Sequence, residues 1–102
     1  MDKMEVLFMN SIANSVYKSY FYYHLTNLKA RIDAWPSTTM KHDLLQKLLY
    51  IEQTAKITEA DYIDFVNRLK KMKLQVLEFD LCLYCLKGLI AYSFEKKDLR
   101  RD

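Results

Sequence analysis

The sequence predicts an all-α protein, and three observations carry that expectation. Glycine and proline occur once each in 102 residues, whereas a chain of many short strands spends them at its turns. Apolar residues recur at steps of three and four along most of the length, the spacing that keeps side chains on one helical face. A helix-start signature stands in "ITEADY", Ile57 to Tyr62. With hydrophobic residues at 51% and a formal net charge of +3, the chain has too much apolar and too little charged character for disorder. Its length suits one domain, here a single helical domain over 1–102.

The first helix is expected from about Lys3 to about Ala34. It carries two neighbouring stripes, one of Met9, Ala13, Val16, Tyr20 and Tyr23, the other of Phe21, Leu25, Leu28, Ile32 and Trp35. The Trp35-Pro36 pair ends it, because a residue before proline is pushed out of the α region. A second, shorter helix follows "PSTT", where Ser37, Thr38 or Thr39 can accept from free backbone N–H groups. Its inner stripe is Leu44, Leu48, Ile51 and Ala55.

The third helix opens with Thr58 as N-cap, Asp61 three residues on, and Ile57 and Tyr62 at the two positions of a hydrophobic staple. From there one stripe runs through Phe65, Leu69, Met72, Val76, Phe79, Leu83, Leu86 and Ile90, a heptad pattern kept for over three heptads. The spacing predicts a single helix over about 58–97, hence a three-helix antiparallel arrangement with a long third helix. A break near 73–75 would give a four-helix bundle instead. In the three-helix form the second half of the long helix, apolar nearly all round, needs cover from outside its chain. An interlocked homodimer supplies it, with a seam of Phe79, Leu83, Leu86, Ile90 and Phe94.

No catalytic constellation stands out. One glycine cannot build a phosphate-cradling loop, and His24 and His42 are not spaced with any nucleophile or carboxylate in a recognisable pattern. Cys82 and Cys85 form a Cys-x-x-Cys pair that could in principle bind metal or act as a redox couple. They sit among leucines, away from the histidines, and read as small buried hydrophobes. The expectation is a non-enzymatic protein with no cofactor and no metal. No segment reaches the roughly 18 apolar residues of a membrane span, no signal peptide begins the chain, and two cysteines without an export signal suggest a cytoplasmic setting.

What remains is binding. "SVYKSYFYYHL" packs five rings into seven residues. Tyr20 to Tyr23 fan over about 300° of a helix, so one core cannot take them all. Tyr17, Tyr20, Tyr22 and Tyr23 are therefore the candidate partner-binding residues, since tyrosine offers a large ring and a hydroxyl at low entropic cost. The function expected is a small dimeric protein-binding regulator or inhibitor. Helical immunity and anti-defence proteins share its size and economy, a likeness of form alone. Two other readings stand beside it: a nucleic-acid-binding regulator using the basic run Arg68, Lys70, Lys71 and Lys73, and a structural assembly subunit.

Overall fold

Four helices make up the computed structural model, which describes the backbone of residues 3–93 and the side chains of residues 15–93: α1 (Lys3–Asp33), α2 (Thr39–Thr54), α3 (Glu59–Lys71) and α4 (Val76–Ala91). The described residues contain no strand. Helix α1 packs most extensively on α4 and next on α2, while α3 closes against α4. Arg31 meets Glu78 near one end of the α1–α4 pair and Tyr20 meets Tyr92 near the other, so these two helices are antiparallel.

Each boundary has a local cause. Helix α1 stops just before Trp35-Pro36, where Lys41 Nζ donates to the carbonyls of Asp33 and Trp35 at 2.8 Å each and satisfies acceptors at a helix end. Thr38 is the cap of α2, its Oγ1 accepting from Lys41 N at 3.1 Å. Ala55, in the left-handed region at φ 57°, ends α2. The capping box of α3 is complete: Asp61 N donates to Thr58 Oγ1 at 3.0 Å, and Thr58 N donates to Asp61 Oδ2 at 3.2 Å.

The core draws on all four helices. It takes Phe21, Leu25, Leu28 and Ile32 from α1, Leu44, Leu48 and Ile51 from α2, Phe65 and Leu69 from α3, and Cys82, Cys85, Leu86 and Leu89 from α4, with Ile57 from the α2–α3 turn. Of the two α1 stripes, the one through Phe21 faces this core and the one through Val16, Tyr20 and Tyr23 faces out. Ser93 fastens the end of α4 to the α2–α3 turn, accepting from Ile57 N at 3.2 Å and donating to Ile57 O at 3.4 Å.

The single helix over 58–97 is not what forms. The chain turns between Lys71 and Val76, with Lys73 in the left-handed region at φ 53°, which gives the four-helix arrangement. Met72 and Leu74 tuck against the core at this turn, whereas Val76, on the expected stripe, is 77% exposed. The chain thus folds its own apolar segment inward. Leu86 is buried, Phe79 and Ile90 pack against the core, and Leu83 is half-buried. Leu86, Phe79 and Ile90 of the expected dimer seam thus face their own bundle, and Phe94 lies outside the described residues. An interlocked dimer around a long third helix therefore loses its geometric basis. The long helix is α1, 31 residues or about 46 Å at 1.5 Å per residue, in a chain measuring 54 × 24 × 23 Å.

Candidate functional site

The candidate site begins at the chain's one glycine. Gly88 of α4 faces the His24 ring of α1 so closely that a Cβ at position 88 would collide with Cγ and Cδ2 and lie 2.6 Å from Nδ1. The absence of a side chain at Gly88 lets the imidazole lie flat on the α4 backbone and brings the two helices together. His24 is only 7% exposed, and its Nδ1 is buried with no hydrogen-bond partner. Burial holds its pKa below that of an ordinary histidine, because the charged form loses its hydration there.

Around this imidazole the tyrosines of both helices gather. The ring of Tyr92 lies nearly parallel to His24, at 11° and 6.0 Å. Tyr20 stacks on Tyr92 at 5.0 Å, and Tyr17 meets Tyr92 edge-on at 5.6 Å. Tyr23 and Tyr84 stand edge-on to His24, at 5.3 and 5.4 Å. Together with Ser19, the rings of Tyr20, Tyr23, Tyr84 and Tyr92 and the imidazole of His24 line an open cleft of about 490 Å³. Tyr20, Tyr23 and Tyr84 remain 48%, 57% and 65% exposed, so the floor is packed while the rims face solvent.

Of the four tyrosines singled out in the sequence, the cleft unites Tyr20 and Tyr23. Tyr17 adjoins it through Tyr92. Tyr22 turns aside, half-buried against the core with its ring edge-on to Phe21 at 5.5 Å. Sequence reasoning missed Tyr84, Tyr92 and His24 as neighbours. A signal existed in their spacing, since Tyr84, Gly88 and Tyr92 are four residues apart and share one side of α4, with the lone glycine between the rings.

The remaining polar groups are tied into the scaffold. Glu78 accepts from Arg31 Nη2 at 2.9 Å and Nε at 3.1 Å, from Trp35 Nε1 at 3.2 Å, and from the Cys82 thiol at 3.7 Å. The Arg31 hydrogen bonds hold the Glu78 carboxyl below its ordinary range in spite of burial. Lys47 of α2 reaches both Asp61 and Asp64 of α3, at 3.4 and 3.2 Å. Burial pushes Asp61 up, but donors from Thr58 and Lys47 outweigh it and leave that carboxyl lowered.

Cys82 and Cys85 are free and buried. Burial, then the Glu78 carboxylate, pushes the Cys82 thiol up to about 12, so it is protonated at neutral pH and a poor nucleophile or ligand. Among the described residues, no three His, Cys, Asp or Glu side chains gather as a metal site, and no helix is long and apolar enough to cross a membrane. In the basic run, Arg68 pairs with Asp64 at 3.0 Å, while Lys70, Lys71 and Lys73 are exposed. Lys70 and Lys71 end α3 and Lys73 stands in the α3–α4 turn, and none of the three lines the cleft. Compared with protein-family models, curated proteins and solved structures, the chain finds no match, so the reading of this site rests on its own residues.

Two outcomes follow from the His24–Gly88 contact. Glycine to alanine inside a helix ordinarily gains close to 1 kcal/mol; Gly88→Ala instead costs about 1–3 kcal/mol, as overpacking does. Urea unfolding shows a good part of that loss recovered in Gly88→Ala/His24→Ala relative to the sum of the single changes. The second concerns pH. Because the folded pKa of His24 is lowered, the unfolded chain binds the proton first and stability falls as pH drops below about 6.5. Unfolding between pH 7 and 5 shows this slope in the wild type and a shallower one in His24→Asn, with the exposed His42 common to both.

Proposed function

We propose that this protein is a non-enzymatic binding module, a small regulator or inhibitor that acts by holding another protein against the tyrosine face of α1 and α4. The observation that carries the reading is the exposure of Tyr20, Tyr23 and Tyr84 around a cleft whose floor is fixed by His24 and Gly88. Half-exposed tyrosines on a rigid two-helix base suit protein recognition, because each ring buries large apolar area, loses few rotamers and keeps a hydroxyl for a directed bond. The groups that could serve chemistry are otherwise engaged. His24 is buried and disfavoured as a cation, Glu78 is saturated with donors, and the Cys82 thiol is protonated. Two unbridged cysteines fit a reducing compartment such as the cytosol.

Nucleic-acid binding fits the arrangement less well. Stacking rings and phosphate-neutralising lysines work on one continuous groove, whereas Lys70, Lys71 and Lys73 stand at the α3–α4 turn and the rings cluster toward the opposite end of α4. Affinity capture with the purified, tagged chain tests the proposal. Tyr23→Ala/Tyr84→Ala is expected to lower recovery of a captured protein at least about tenfold, a loss of about 1.4 kcal/mol, with melting temperature little changed. Lys70→Ala/Lys71→Ala is expected to leave recovery intact. Equal capture by the tyrosine variant, or loss only in the lysine variant, contradicts the reading.

A further inference from the structure

The polar atoms of the cleft decide what it can hold. Among the described residues His24 Nδ1 is the buried side-chain nitrogen or oxygen without a partner. The ring's other nitrogen, Nε2, is bonded to no described residue either and so keeps its solvent contact, which comes through the cleft that His24 lines. Burial keeps the imidazole neutral, with a proton on one nitrogen and a lone pair on the other. A sealed N–H without an acceptor is rarer than an under-satisfied acceptor, so the proton belongs on Nε2, at the floor of the cleft. The other lining residues are Ser19 and four tyrosines, each with a hydroxyl that can donate. The hydroxyls of Tyr20, Tyr23 and Tyr84 are bonded to no described residue.

This lining disfavours an ionic occupant. None of its residues is charged, and the exposed charges of α4, Asp80 and Lys87, stand outside it. An anion finds no cation there. A cation could lie on the ring faces, but it would meet the positive end of the Nε2–H dipole and no carboxylate. What the cleft complements is a neutral, apolar segment rich in acceptors.

We infer that the cleft holds a proline-rich segment of the partner protein in the polyproline II conformation. The inference rests on the reading that the α1/α4 tyrosine face binds protein, and it states the chemistry of what that face binds. A polyproline II strand makes no hydrogen bonds within itself and presents its carbonyls free. Proline has no N–H, so such a strand asks its host for donors alone, and the cleft lining offers them. The tyrosine rings add flat apolar walls for the pyrrolidine rings, as other aromatic-lined grooves do for proline-rich segments. Size agrees as well. Tyr23 and Tyr84 stand 5.3 and 5.4 Å from the imidazole, so the two rims are at most twice that distance apart. One turn of the strand, three residues, rises roughly 9 Å, which lets residues three apart reach both rims. A preformed strand entering a rigid cleft also loses little conformational freedom.

Titration of the full chain with a capped octaproline peptide, followed by NMR of the tyrosine and histidine rings, tests the inference. The peptide is expected to shift the rings of Tyr23, Tyr84 and His24 saturably. His24 is expected to be protonated on Nε2 beforehand, and that proton to move downfield as a carbonyl accepts from it. Tyr23→Phe/Tyr84→Phe keeps both rings and removes two donors; it is expected to weaken the peptide about fivefold with melting temperature unchanged. A capped glycine-serine peptide of equal length, which has carbonyls but no preformed strand, is expected to bind at least about tenfold more weakly. Octaproline that shifts none of these rings overturns the inference, as does undiminished binding by the phenylalanine variant or a His24 proton on Nδ1. Tighter binding of choline or of acetyl-arginine amide overturns it too, since the cleft would then be a cation cage. Octaproline that fails while protein capture still depends on Tyr23 and Tyr84 overturns proline recognition and leaves the proposed function standing. Octaproline that fails while capture ignores those tyrosines overturns both.

Discussion

The packing of the His24 ring on Gly88 governs the rest of the molecule. It sets the distance between α1 and α4, the pair with the largest mutual packing. Only a residue without a Cβ admits an imidazole against the α4 backbone, and the chain has only one such residue. Close approach at that level brings Tyr92 over His24 and Tyr20 over Tyr92, and lets Tyr23 and Tyr84 stand as rims. At the opposite end Arg31 and Trp35 hold Glu78. The two helices are thus fixed at two levels about two to three turns apart, which leaves the tyrosine face a preorganised surface.

The cost of this arrangement is a buried imidazole nitrogen without a partner, a penalty of about 1–3 kcal/mol. A scaffold fastened by Glu78, by the Lys47 pairs and by the Ser93–Ile57 bonds can carry it. The same fastening leaves an uncharged, aromatic α1 face as the conspicuous surface that α2 and α3 do not cover. The proposed protein binding rests on that surface, while Glu78, Lys47 and Asp61 are engaged in holding the helices together.

Much of the architecture was legible in the sequence. The Phe21 stripe, Leu44, Leu48 and Ile51 of the α2 stripe, the Thr58–Asp61 capping box and the cysteines as buried hydrophobes stand where their spacing placed them, whereas Ala55 falls beyond α2 as its left-handed cap. The α3–α4 turn was not legible as a leading expectation, for physical reasons. Lys73 takes the left-handed conformation without being glycine or asparagine, and Gln75 gives α4 no side-chain cap. The 4-3 stripe also resumes past the turn in apparent register, since Phe79, Leu86 and Ile90 all pack on the core beside Cys82, Cys85 and Leu89. Helix-capping rules have nothing to read at such a break. The site was half legible: the tyrosine run of α1 announced an excess of rings, but which of them point together depended on a tertiary contact at Gly88.

The central claim is that a protein covers the α1/α4 tyrosine face in solution, and chemical nitration of tyrosine with peptide mapping tests it most directly. Tyr50 on α2, 60% exposed in the single chain, serves as the internal standard. The account predicts that Tyr23 and Tyr84 react about as fast as Tyr50 in the chain alone and become protected relative to Tyr50 when a captured protein is bound. Reaction of Tyr23 and Tyr84 at the rate of Tyr50 with captured protein bound would contradict it.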